Sequence, residues 1–135
     1  MDINALIAEF NETKEKFVRE MRKGFDGYIR QFIKDDVVGI RWTQYTPYFN
    51  DGDECVFCVH DTYVRFKDTP DDAGDCDDGY LTLWDCEDKQ RKKIIQGINE
   101  ALAKIPSEIM QDVLGDHIQV TVNEDGLTTE EYEHD

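Results

Sequence analysis

Two stretches of this 135-residue chain bring chemistry-bearing side chains close together. Cys55-x-x-Cys58, followed by His60, has the spacing of half a zinc site or of a thiolate–imidazole pair. The run DTPDDAGDCDDG at 68–79 supplies Asp68, Asp71, Asp72, Asp75, Asp77 and Asp78, hard oxygen donors of the kind that hold calcium. Neither spacing completes a site. Val56, Phe57 and Val59 put both cysteines in a strand, where residues three apart face opposite sides, so the two thiolates do not converge on one metal. Cys58 and His60, two apart, do share a face. A small metal-binding or catalytic protein using Cys58, His60 or the Asp-rich loop is therefore the alternative reading. An EF-hand loop begun at Asp75 has Asp77 at its third position, but Gly79 at the fifth and Cys86 at the twelfth, where carboxylates are needed. The sequence holds no HExxH, no glycine-rich phosphate loop and no Ser–His–Asp spacing. It nominates no catalytic residue, no metal ligand and no cofactor, and reads as non-enzymatic.

The acids carry more information than the cysteines. Lys+Arg number 15 and Asp+Glu 31, a net charge of −16. Residues 1–50 are balanced, with eight bases and eight acids. Between Lys67 and Lys89 there is no base and nine acids; from Asp116 to the end there are seven acids, including Glu130, Glu131 and Glu133, and again no base. These two stretches account for the whole net charge. Scattered acids would serve solubility equally well, so their segregation points to a surface that attracts cations. A domain of this length is roughly 37 Å across. Duplex DNA carries about 22 phosphates over that span. Carboxylates gathered into one ridge would approach that density; dispersed, they would not. One ridge requires the C-terminal stretch to lie beside the 68–88 loop. A plain solvated charge run is the competing explanation.

Trp42, Tyr45 and Tyr48 cluster just before the turn Asn50-Asp51-Gly52. Their neighbours are acidic and only Arg41 is basic, which disfavours direct nucleic-acid stacking. Core packing suits Trp42, and Tyr45 and Tyr48 suit a protein-binding rim, because Trp and Tyr dominate interface hot spots. The one basic patch, Lys89, Arg91, Lys92 and Lys93, follows the acids at 85–88 and reads as a local neutralising face.

These residues must be positioned by an α+β fold. Ile3, Leu6, Ile7, Phe10, Phe17, Met21, Phe25, Ile29 and Phe32 recur at helical spacing over 3–34. An unbroken helix of that length would outrun the domain, so a kink near Gly24 and Gly27 and a second short helix ending near 34–36 are expected. Val38, Ile40 and Trp42 alternate as a strand, the turn at 50–52 follows, and 55–66 reads as one continuous second strand. Its start is apolar on both faces, which predicts a central, covered hairpin strand. Residues 68–79 form an exposed loop, 80–84 a short strand, 88–104 an amphipathic helix with Ile95, Ile98 and Leu102 inward, and 107–114 a further helix stopped by Gly115. A returning strand at 117–123 alternates Ile118, Val120 and Val122. The acidic tail, 127–135, either continues a hairpin after Gly126 or stays partly disordered, so 1–126 reads as a single domain. No run of about 18 apolar residues is present and the start is not a signal peptide, which predicts a cytoplasmic chain with no membrane partner.

The segments IRWTQYTPYFNDGDECVFCVHD and GDHIQVTVNEDG, with the closing EEYEHD, resemble a family of small acidic proteins of bacteriophages and bacteria that has no assigned activity. The resemblance covers about a third of the chain and implies a phage-type protein of the bacterial host cytosol. In size and charge the chain is also similar to phage DNA mimics and anti-defence inhibitors. The expected function is an acidic binding protein that occupies a basic, nucleic-acid-binding surface of a host protein or defence enzyme. Asp68, Asp71, Asp72, Asp75, Asp77 and Asp78 would form one patch, Glu130, Glu131 and Glu133 a second, and Trp42, Tyr45 and Tyr48 the apolar anchors. A structural or assembly component, homodimeric through the N-terminal helix, is a further alternative.

Overall fold

The structure is a computed structural model, and it describes residues 2–48, 52, 54–60, 62–68 and 79–133. The element order is α1 (Ile3–Arg30), β1 (Val37–Tyr45), β2 (Cys58–Val59), β3 (Tyr63–Phe66), α2 (Lys89–Ala103), α3 (Ser107–Leu114), β4 (Ile118–Asn123) and β5 (Gly126–Glu131). This is the expected α+β arrangement: a long first helix, an antiparallel sheet, two later helices and a returning hairpin. No helix among the described residues is long and apolar enough to cross a membrane.

β1 is the centre of the sheet. It pairs antiparallel with β4 along one edge and with β2 and β3 along the other, and β5 pairs outside β4. Alternation sets its faces: Ile40, Trp42 and Gln44 are buried, while Arg41, Thr43 and Tyr45 look the other way and are half-buried. The buried face meets Phe25 and Ile29 of α1, Ile95, Ile98 and Leu102 of α2, and Met110 of α3. Val64, Phe66, Val120 and Val122 complete this core from the neighbouring strands. Gly39 sits on β1 because a Cβ there would lie 2.5 Å from the Tyr80 hydroxyl.

Three expectations are corrected, and one left open is decided. The helix runs through Gly24 and Gly27 as one element of 28 residues, and 31–36 are turns and not a second helix. At 1.5 Å per residue it spans about 42 Å. The excess length is accommodated by overhang: residues 2–13 are exposed along their whole length. The 55–66 strand is split into β2 and β3, and Val56 is 60% exposed, so β1 and not this segment is the covered central strand. The split is imposed from α2. The Thr62 backbone N–H and hydroxyl both donate to Asn99 Oδ1 on α2, which withdraws Thr62 from the ladder. The 80–84 strand reduces to one bridge, Leu81 with Val64, followed by a turn in which Thr82 and Asp85 hydrogen-bond each other. Trp84 on that turn is 86% exposed. The acidic segment after Gly126 enters the sheet as β5, the hairpin outcome of the two that the sequence left open.

Candidate partner-binding corner

The sheet register decides which candidate residues meet. Gln44 of β1 lies opposite Ile118 of β4, which lies opposite Glu131 of β5. One position on, Tyr45, His117 and Tyr132 fall in a single row, and the Tyr132 N–H donates to the His117 carbonyl at 2.9 Å. Tyr45 thus stacks on Tyr132, with ring centroids 5.6 Å apart, and on His60 from beyond β2, at 4.3 Å. Tyr48, past the end of β1, stacks on His117 at 4.9 Å with the planes 13° apart. Glu130, Glu131 and Glu133 flank Tyr132 in sequence and are exposed. Glu130, two residues from Tyr132 along β5, shares its face. Residues 85 positions apart in the chain therefore form one corner of rings and carboxylates.

A buried joint holds this corner. Gln44 is fully buried, donates to the carbonyls of Met110 and Gly115 at 3.1 and 2.8 Å, and accepts from the Trp42 indole N–H at 3.0 Å. This closes the end of α3 onto β1. Gly115 turns the chain out of the helix with φ of 117°, a conformation that glycine adopts without strain. Asp116 then accepts from the Thr46 N–H at 2.8 Å, the Thr46 hydroxyl at 2.7 Å, Gln111 at 3.0 Å and the His117 N–H at 2.8 Å. Partial burial pushes the Asp116 carboxyl upward, but the hydrogen bonds from Thr46 and His117, with the charge of His117, outweigh it and hold the group below its ordinary range. His117 is left in the left-handed region, with φ of 55°. Sheet pairing and this clamp together aim the rings.

The remaining predicted residues are elsewhere. Trp42 is 1% exposed and packs edge-on to Phe25, so it is a core residue and not an anchor. Asp68 follows β3, whose Phe66 pairs with Val37 at the opposite end of β1. Along the strand and across the sheet, that is about 30 Å from the Glu130–Glu133 end of β5. Arg91 lies between Asp68 and Asp36, at 2.6 and 2.8 Å, with its guanidinium 4.5 Å from the Phe66 ring centroid. The Arg91 hydrogen bond holds the Asp68 carboxyl below the usual carboxylate range. A single ridge uniting Asp68 with Glu130, Glu131 and Glu133 is thus not formed. Asp71, Asp72, Asp75, Asp77 and Asp78 lie outside the described residues. Cys58 is exposed, and its neighbour His60 is engaged by the Tyr45 ring.

Sequence reasoning missed Tyr132, His60 and His117 as parts of the corner. The available signal was EEYE itself, an aromatic at alternate spacing with acids in a segment able to pair. No known protein family, curated protein or solved structure matches this chain.

Chemically, the corner suits a cation. A flat tyrosine ring attracts guanidinium or ammonium through its π face, and adjacent carboxylates accept its N–H donors, bidentately for arginine. A depression of about 170 Å³ beside it, lined by Arg41, Tyr63, Gln119 and Tyr132, places one cation on the same sheet face. Arg41 lies 4.2 Å from the Tyr80 ring centroid and donates to the Thr121 hydroxyl at 3.3 Å. The acidic character of the face is therefore confined to its β5 side.

Proposed function

We propose that this chain is an acidic, non-enzymatic binding protein of phage type that docks the β5 corner onto a basic surface of a host protein, one that otherwise holds nucleic-acid phosphates. Glu130, Glu131 and Glu133 meet Lys and Arg side chains of the partner, and Tyr45, Tyr48 and Tyr132 supply stacking area. The observation that supports this reading is that Tyr45, Tyr132 and Glu130, up to 87 positions apart in the chain, share one face at one end of the sheet, with Tyr48 stacked on His117 beside them and Glu131 and Glu133 exposed on the other side of the same edge. The decoy is a local patch at a sheet edge and not a duplex-length ridge. Three carboxylates match a few phosphate contacts, so competition with nucleic acid is expected at the partner's phosphate sites alone.

The test is retention of bacterial lysate proteins on the immobilised chain, with duplex DNA as competitor. Nucleic-acid-binding proteins retained at low salt and released by DNA or by high salt support the reading, because rim charge attraction is screened. The triple substitution Glu130→Gln, Glu131→Gln, Glu133→Gln should abolish that retention, whereas Asp68→Asn should leave it intact. Equal retention by wild type and triple variant would overturn it.

A further inference from the structure

The overhanging end of α1 is apolar where nothing covers it. Ile3 is 68% exposed, Leu6 41%, Ile7 53%, Phe10 68% and Phe17 49%. Ile3, Ile7, Phe10, Lys14, Phe17, Met21, Gly24 and Tyr28 follow one another at alternating spacings of four and three, the seam of a heptad pattern. The C-terminal part of that seam opens into an apolar groove of about 360 Å³, lined by Phe17, Met21, Phe25 and Tyr28 on one side and Ile105 and Pro106 on the other. At the middle of the groove Gly24 leaves open space where any other residue would project a side chain.

The charge of α1 is also divided. Residues 2–15 carry four acids and one base, and 16–30 two acids and five bases, so the halves are −3 and +3. This polarity complements the helix dipole. It also makes the helix complementary to itself in one orientation, antiparallel. The rest of the chain carries the entire −16, so α1 is the neutral face on which two copies repel each other least.

We infer that α1 is a dimer seam in which a second copy of this chain lies antiparallel, its Ile3, Ile7 and Phe10 entering the groove beside Gly24. The seam residues then face one another in layers: Ile3 with Tyr28, Ile7 with Gly24, Phe10 with Met21, and Lys14 with Phe17. Large meets small at the Ile7–Gly24 layer, and that is what permits close approach. Lys14 is drawn aside by Glu108 and Asp112 of its own α3, at 2.5 and 3.5 Å. Lys104, at the groove rim, faces the incoming acidic half. Six exposed apolar side chains of α1, Tyr28 included, each offer about 100 Å². The pair would then bury roughly 1,200 Å², the lower bound for a stable interface. The inference goes beyond the binding function proposed above and does not depend on the β5 corner.

Sedimentation equilibrium of the full chain, from about 1 μM to 1 mM, reads the outcome directly. The wild type should pass from monomer to dimer. Phe10→Glu should raise the dissociation constant about tenfold or more. Phe10 lies on the overhang, so an unchanged melting curve of the monomer certifies the fold. Gly24→Leu, which fills the slot, should weaken the dimer too. In a background of Cys55→Ser, Cys58→Ser and Cys76→Ser, a mixture of Ile7→Cys and Gly24→Cys chains should form a disulfide far more readily than Ile7→Cys alone. A monomer at every concentration, an unweakened Phe10→Glu dimer, or cross-linking of Ile7→Cys with itself as efficient as the mixture would each overturn the inference. Glu130→Gln should leave dimerisation unchanged, which separates this result from that of the corner.

Discussion

At the Val37 end of β1, Asp36 and Asp68 share the guanidinium of Arg91, which also lies over the Phe66 ring. At the Tyr45 end, Glu130, Glu131 and Glu133 stand beside rings and form no ion pair among the described residues. Asp68 and the three glutamates all come from the stretches that create the net charge, yet only Asp68 is neutralised from within. Arg91 reaches its carboxylates because Asp88 caps α2, accepting from the Gln90 and Arg91 N–H groups, so the first turn of the helix projects Arg91 over the end of β3. No base follows Lys104 in the sequence, and β5 lies on the far edge of the sheet. Acids that the fold has answered serve the fold, and acids that it leaves unanswered are available to another molecule.

The largest expected effect strikes the support of the unanswered end. Gln44→Leu keeps the volume but leaves the Trp42 indole N–H and the Met110 and Gly115 carbonyls without their partner in a dry core. Each orphaned group costs about 1–3 kcal/mol, so the three together should remove at least about 3 kcal/mol of the stability read by urea unfolding. A loss below about 0.5 kcal/mol would mean that the joint does not hold the corner.

Next is Asp116→Asn, at about 1–2 kcal/mol, since the amide can accept only part of what the carboxylate accepts. This change also fixes the pH dependence. The Asp116 carboxyl is held below its unfolded value, so its contribution is complete above the ordinary carboxylate range and is lost as pH falls through the lowered value. The wild type should therefore lose stability on acidification more steeply than Asp116→Asn. Parallel slopes for the two proteins would remove Asp116 as the source.

How much of this comparison the sequence disclosed depends on the range of the interactions. The alternation of Ile40 and Trp42, the periodicity of Ile95, Ile98 and Leu102, and the stop at Gly115 are local, and the elements they predict are present. The break between β2 and β3 is not local: it is imposed by Asn99, 37 residues from Thr62. Apolar spacing also could not tell that the first three turns of α1 would pack on nothing, because the pattern identifies a face and not what covers it. The residue types of the corner were visible in Tyr45, Tyr48 and Glu130. Their convergence was not, because it follows from β1, β4 and β5 pairing in sequence over 85 positions. Trp42 misled for the same reason: an aromatic beside two rim tyrosines is a core residue when its strand face turns inward.

The smallest effects on stability make the sharpest contrast between the two ends. Arg91→Met removes a partly exposed cation from two carboxylates and from the Phe66 ring. Solvent screens such pairs, so the loss should be about 1 kcal/mol. Glu130→Gln with Glu131→Gln removes charge where no base answers it, so stability should hold within about 0.5 kcal/mol, or rise slightly as like charges are thinned. Partner retention should then reverse the ranking: Arg91→Met retains the partner as wild type does, and the double glutamine variant loses it. If both variants cost the same stability, or both spare binding, the division between structural and available acids fails, whatever the sheet register. Arg91→Met takes the net charge from −16 to −17 and the glutamine pair takes it to −14; binding that followed net charge alone would strengthen in the first and weaken in the second, whereas retention unchanged by Arg91→Met and lost with the glutamine pair follows which end of β1 is touched.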